Sequence, residues 1–442
     1  MKYYFKFLFL TLSFIASAQG NFEFPQGSIS DKIPVEIVNN LVIVPITING
    51  IALQFLLDSG ADATIIFQIE KDKSLSINDA SYATVTGAGN GAPTKALKSF
   101  GNTVQIGKAK STSEPLLIIL DNNIDFSPQL GIAVQGIIGY QLFKDFIVEI
   151  NYIKSYIKLH NPNAYTYKDC DNCLRFPLEI TQNKAFIKAD VDIASHTQEI
   201  KLLLDSGMGD ALWLLQKENS KLSLPEKKFE DFLGLGLNGP IYGNRTRSTY
   251  LKLGKWQLPD VATAFPDSLS THNIANKEKR HGSLGAEVLK RFHSIIDYKN
   301  KRLTLTKNKN YSSPFYYNKS GLTIQHGDYT LAKELVSSND RNLPLANEYT
   351  SQIIELFSST KRYKKILQPT YEIIEVRPNS PAAQIGLQKG DFILVINNKP
   401  TKKMRLKEIN DHFFQEDGKK ITLVVERNGE RLQFSFTLES LL

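Results

Sequence analysis

The sequence predicts a mainly β protein made of two similar halves, closed by a smaller α+β unit. Three observations carry this. The 442 residues hold 18 Tyr and 25 Phe, an aromatic load that suits pleated, half-buried surfaces. Three separate segments recur in one order at an offset of 146–147 residues. After about residue 313 the character changes to strand, Pro-containing turn, short helix and hairpin in quick succession. Composition bounds the rest. With 42% hydrophobic and 22% charged residues there is ample core material, which excludes wholesale disorder. The 27 Gly and 2 Cys exclude collagen and a disulfide scaffold. The formal net charge of +8 is spread along the chain and implies no nucleic-acid partner.

Residues 1–18, MKYYFKFLFLTLSFIASA, read as a secretory signal peptide. Lys2 and Lys6 form the positive end, Phe7 to Ala16 the apolar stretch, and Ala16-Ser17-Ala18 a small-x-small cleavage site before Gln19. An uncleaved anchor is the alternative, but the apolar stretch is short for a span. The expectation is an exported protein, periplasmic or extracellular, with no membrane span in the mature chain. Removing residues 1–18 takes two lysines and leaves a charge of +6. Cys170 and Cys173 lie in a polar segment, YKDCDNCLRF, where a local disulfide fits best. Zinc would need four ligands and no second cysteine pair exists.

The first half runs from about 28 to 160 and the second from about 174 to 308, with 161–173 as the linker. VEIVNNLVIVPITINGIALQFLLDSG reads as strand, turn at Asn49-Gly50, strand. FLLDSGADATII (55–66) is matched by LLLDSGMGDALWL (202–214). A Gly-rich stretch containing Gly87, Gly89 and Gly91 is matched by one containing Gly234, Gly236 and Gly239. GIIGYQLFKDFIVEINYIKSYIKL (136–159) aligns with GSLGAEVLKRFHSIIDYKNKRLTL (282–305), where QLFKDF and EVLKRF read as short helical turns. Any one match is weak, and three in order are not.

In each half an apolar run ends abruptly in Asp-Ser-Gly, at Asp58-Ser59-Gly60 and Asp205-Ser206-Gly207. A carboxylate there is partly buried, which is expensive without a partner, and the glycine lets the chain turn tightly behind it. Two such loops brought together by pseudo-two-fold symmetry put two carboxylates side by side. Like charges that close share one proton. The ionised member can activate a water and the protonated member can donate to a scissile carbonyl, a division of labour for which aspartic proteases are the standard example.

On these residues the sequence resembles the aspartic proteases, specifically bacterial two-lobed retropepsin-like enzymes with a C-terminal PDZ domain. The resemblance implies a bilobal acid-protease β-barrel fold with internal duplication, in which Asp58 and Asp205 form the catalytic dyad. Ser59, Gly60, Ser206 and Gly207 would brace the two loops. The apolar-apolar-Gly motif packing behind each loop is matched by Ile137-Ile138-Gly139 and Ser283-Leu284-Gly285. Gly87, Gly89, Gly91, Gly234, Gly236 and Gly239 would belong to flaps that close over a peptide. The second half departs from the pattern: Gly207-Met208-Gly209-Asp210-Ala211 is looser than Gly60-Ala61-Asp62-Ala63-Thr64, and Ser283 replaces an apolar residue.

Other chemistries fit poorly. His281-Gly282-Ser283-Leu284-Gly285 lacks the spacing of a nucleophile elbow. Seven scattered His and no nucleotide-binding loop imply no metal and no cofactor. Tyr82 and Trp213 could line subsites or simply fill core. In the last unit, from 313 to 442, Ser380-Pro381-Ala382-Ala383, Gly386-Leu387, Gly390-Asp391 and Ile396-Asn397 resemble an α+β PDZ domain. Gly321, Leu322, Thr323 and Ile324 would be its peptide-binding loop and strand, with 326–370 an insertion and Leu406, Ile409, Phe413 and Phe414 the apolar face of a helix. The reading is a monomeric aspartic endopeptidase with a peptide or protein substrate and a PDZ ligand peptide. Its rival is a non-catalytic peptide-binding protein on the same fold.

Overall fold

The computed structural model describes residues 20–67, 74–121, 124–216, 222–274, 279–335 and 363–442. The stretch read from the sequence as a signal peptide, 1–18, and the centre of the insertion, 336–362, lie outside the described residues. The chain is mostly β.

Each half begins with a hairpin set by its turn. Leu41–Ile48 and Ile51–Leu57 pair antiparallel through Asn49 and Gly50, both in the left-handed region that a tight hairpin turn requires. In the second half Lys184–Ile193 and His196–Leu204 pair the same way, but Ala194 and Ser195 take the left-handed positions. The inward sets, such as Val42, Val44, Ile46 and Ile48, alternate with partly exposed residues over most of each strand.

The last strand of each hairpin then pairs in parallel with a short central strand. Phe55 faces Gly136 and Leu57 faces Ile138; Leu202 faces Gly282 and Leu204 faces Leu284. Both halves continue identically, each as an eight-stranded sheet with the same neighbour order and one extra closing pair. In each sheet the outermost two strands form a long hairpin: Ser81–Val85 with Thr94–Ile106, and Phe229–Gly236 with Gly239–Leu253. The predicted helical turns are Tyr140–Asp145 and Ala286–Leu289.

A six-stranded sheet ties the lobes together. Its centre is the antiparallel pair Ile147–Asn151 and Phe292–Asp297, one strand from each lobe. Glu149 sits there, bonded by His160 and His293 at 2.9 Å each and by Tyr156 at 3.0 Å. Burial opposes its charge, but these partners outweigh burial and hold the carboxyl well below its usual range. Cys173–Pro177 is an edge strand of this sheet, and Cys170 and Cys173 form a disulfide at its start. One hydrophobic cluster runs from Val42 and Phe55 through Phe143 and Ile150 to Leu202, Leu284 and Ile296, joining both lobes.

The C-terminal unit has its own core of Leu322, Ile324, Tyr371, Ile373, Leu406, Ile409 and Phe413. Its strands run Leu322–His326, Tyr371–Val376, Phe392–Ile396, Lys420–Arg427 and Glu430–Thr437 across the sheet. Helix Leu406–Asp411 buries Leu406 and Ile409. Phe414, placed on the apolar face by its spacing, is exposed, because the helix ends at Asp411. The insertion opens and closes with a paired ribbon, Thr330–Leu335 and Tyr363–Gln368.

Candidate functional site

The parallel pairs bring both Asp-Ser-Gly loops to one point. The amide of Asp58 donates to Ile138 O at 2.9 Å and that of Asp205 to Leu284 O at 3.0 Å, so each aspartate continues a strand. Gly139 and Gly285 lie behind the loops. A Cβ at either would meet the carbonyl of Ala61 at 2.4 Å or of Asp210 at 2.1 Å, so only glycine fits there.

Ser59 and Ser206, both fully buried, brace the loops reciprocally. The Ser59 hydroxyl donates to Leu204 O (2.7 Å) and accepts from the Ser206 amide (3.1 Å). The Ser206 hydroxyl donates to Leu57 O (2.8 Å) and accepts from the Ser59 amide (3.0 Å). Tyr298 donates to Ser59 O at 2.9 Å from below. Gly60 and Gly207 leave room for the carboxylates. A Cβ on Gly207 would sit 2.4 Å from the Asp58 carboxyl carbon, and one on Gly60 3.1 Å from that of Asp205.

The two half-buried carboxyls therefore lie close together. Burial and then the Asp58 charge push Asp205 up to about 7. Burial also raises Asp58, although amides such as that of Gly60, 2.7 Å from its Oδ1, favour its ionised form. Burial at both, and the Asp58 charge at Asp205, favour a proton on the pair.

The two long hairpins meet tip to tip. Gly89 donates to Ser270 O (2.9 Å) and Gly91 to Asn238 O (2.7 Å), while Asn238 donates to Ala88 O (3.0 Å). Gly87 donates to the Asn238 side chain, and Asn273 donates to Gly91 O. Gly236 packs on the Ala88 carbonyl and Gly239 lies near Asn90, whereas Gly234 stands at an irregularity in its strand with open space beside it. Asn238, which spacing did not single out, is the main fastener. It is buried and also bonds Ala92 O and Thr94. Beneath the tips lies an apolar cluster of lobe 1, with Ile43, Ile65, Val85, Val134 and Ile137, on which Leu237 of the other hairpin packs.

Known proteins resemble two stretches of this chain. Residues 44–142 match the family model described as aspartyl protease, and residues 372–427 match that of the PDZ domain. The chain carries a retropepsin-like aspartyl-protease domain and a PDZ domain. It is also similar to the probable protease eep of Enterococcus faecalis, 40% identical over 70 residues. That stretch is 16% of this chain and 16% of the length of that protein.

The PDZ domain is docked on both lobes of the aspartyl-protease fold. Arg377 reaches Asp231 at 3.4 Å and lies over the Phe229 ring, and Tyr242 donates to Glu375 at 3.2 Å. Asp231 also pairs with Arg245 (2.6 Å), which pairs with Asp210 (3.1 Å), five residues beyond Asp205. This chain of charges links the PDZ domain to the aspartate loop of lobe 2, and the sequence offered no signal for it. Gly321 accepts the Arg377 amide at 2.8 Å. Leu322 and Ile324 point into the core, and Thr323 lines a cavity of about 350 Å³ between the PDZ domain and lobe 2. Strand Leu322–His326 is the sheet edge, but helix Ser127–Leu130 of lobe 1 packs against it.

Tyr82 is almost fully exposed, and Trp213 donates to Asp210 at 2.7 Å. Among the described residues no group of His, Cys, Asp and Glu could hold a metal ion, and no helix is long and apolar enough to cross a membrane.

Proposed function

We propose that the chain is an exported aspartic endopeptidase that hydrolyses peptide bonds with a water activated between Asp58 and Asp205. The observation that supports this is the pairing of the two aspartate loops, locked by the reciprocal Ser59–Ser206 bonds, with both carboxyls raised by burial. The ionised carboxyl takes a proton from the water as it attacks the carbonyl carbon. The protonated carboxyl donates to the carbonyl oxygen, which gives a neutral tetrahedral intermediate. Collapse with proton transfer to the nitrogen releases the amine. The joined hairpin tips act as flaps that part to admit an extended peptide and then exclude water. The PDZ domain recruits a peptide or protein terminus by strand addition at Leu322–His326, which requires helix Ser127–Leu130 to move aside.

The test is a peptide-library digest with wild type, Asp58→Asn and Asp205→Asn in parallel. Acid-shifted, pepstatin-sensitive cleavage by wild type alone supports the reading. Full cleavage by Asp58→Asn removes the dyad assignment. Peptide binding without cleavage by any of them favours the non-catalytic binding protein.

A further inference from the structure

The lobes are copies, so positions where they stopped being alike around the dyad report on what each lobe meets. The register fixes the equivalences. Gln135 accepts the Gln54 amide at 2.7 Å, and His281 accepts the Lys201 amide at 2.9 Å in the same place on the other lobe. One residue earlier stand Val134 and Arg280. Two further pairs flank them. Ile137 faces Leu56 as Ser283 faces Leu203. Leu41 follows the left-handed Asn39-Asn40 as Lys184 follows the left-handed Gln182-Asn183.

In lobe 1 these three positions are apolar: Val134 and Ile137 belong to the cluster beneath the flaps, and Leu41 packs on it. In lobe 2 they are Arg280, Ser283 and Lys184. Lys184 has a partner, Asp62 at 3.6 Å. Arg280 does not. Its Nε is buried without a hydrogen bond, and among the described residues no carboxylate lies within ion-pair distance of it. A buried guanidinium nitrogen left without an acceptor is unfavourable, and the planar fork of the half-buried Arg280 is shaped to hold a carboxylate by two bonds.

We propose that Arg280 is a specificity residue that takes a carboxylate of the bound peptide on the lobe 2 side, while the Val134 cluster takes an apolar side chain on the lobe 1 side. The substrate class is then a peptide with an apolar residue and a carboxylate flanking the bond that is cut. Its carboxylate is an Asp or Glu side chain or a free C-terminus. The electrostatics agree, since the Arg280 charge is felt by Asp205. The inference rests on the peptidase reading for cleavage but not for binding.

The experiment is affinity selection on the full chain carrying Asp58→Asn, with a peptide library that has one fixed apolar residue and randomised neighbours. The library is made as C-terminal amides and, separately, as free acids. The expected result is enrichment of Asp and Glu over Asn and Gln by about tenfold or more at one position, the size of a charge-assisted hydrogen bond. Arg280→Gln should flatten it to under about twofold, and Arg280→Lys should restore part of it. Enrichment among amides identifies a side-chain carboxylate. Enrichment confined to free acids and lost in Arg280→Gln identifies the C-terminus, whereas free-acid capture that survives in Arg280→Gln belongs to the PDZ domain and overturns the proposal. No acid preference in Asp58→Asn, or no retained peptide at all, overturns it without reference to the folding of any Arg280 variant. Acid-selective binding with no cleavage by wild type would sink the peptidase reading and leave Arg280 standing. Cleavage by wild type with no acid preference would do the reverse.

Discussion

Replacing Ser206 with alanine tests the brace beneath the dyad directly. The hydroxyl is fully buried and makes two bonds, donating to Leu57 O at 2.8 Å and accepting from the Ser59 amide at 3.0 Å. Alanine strands a buried donor and a buried acceptor without room for water. Each stranded group costs about 1–3 kcal/mol, and loss of the serine's own desolvation offsets part of this. A net destabilisation of about 2–4 kcal/mol follows, a drop of roughly 5–10 °C in Tm for a unit of this size. Urea unfolding followed by tryptophan emission reads it, because the only two tryptophans, Trp213 and Trp256, both lie in lobe 2. Ser59→Ala should cost a similar amount through Leu204 O and the Ser206 amide. The double variant should cost less than both added, by about 0.5–3 kcal/mol, because the bonds form one network. A loss below about 0.5 kcal/mol for Ser206→Ala, the level of an ordinary surface change, would refute the claim that the hydroxyl locks the loops.

The raised carboxyls make stability depend on pH. The folded chain binds the protons of Asp58 and Asp205 more tightly than the unfolded chain does, so their contribution to stability is greatest below about pH 4 and falls as pH rises towards about 7. Asp205→Asn should flatten that slope in a series of thermal melts, and an unchanged slope would count against the coupled pair. Glu114 is buried, and although the nearby Ser111 and Thr64 hydroxyls favour its ionised form, burial raises it to about 7. Glu114→Gln should therefore raise Tm above pH 7 and leave it nearly unchanged at pH 4; a loss at both would contradict this. Gly131 has φ +71°, and a Cβ there would sit 2.7 Å from Leu406 Cβ of the PDZ domain. Gly131→Leu should cost about 1–2 kcal/mol from backbone conformation alone and speed amide exchange along Leu322–His326. Unchanged exchange there would mean lobe 1 does not cover the PDZ edge.

Much of the fold was legible because duplication turns weak signals into a pattern. Asn49-Gly50 marks one hairpin turn plainly, while its counterpart uses Ala194-Ser195, which no turn preference would flag. The second hairpin therefore carries no turn signal of its own. Asp-Ser-Gly after an apolar run exposed the aspartates, since a charge at that place needs a reason. Asn238 stayed hidden because its bonds to Gly87, Ala92 and Thr94 span about 145 residues. Arg280 and Lys184 look like ordinary surface cations until the register shows that they take the places of Val134 and Leu41 in the other lobe.

Local pattern by itself determined the strands, the two aspartate loops, the glycines behind them and the order of the units. Those features depend on backbone geometry and side-chain alternation, which act over a few residues. Tertiary structure alone decided how the units meet. It joined the hairpin tips through Asn238, seated lobe 1 against the PDZ edge, and linked Arg377 to Asp210 through Asp231 and Arg245. These contacts join residues distant in the chain, and their energies exist only once the lobes have packed and excluded water from between them.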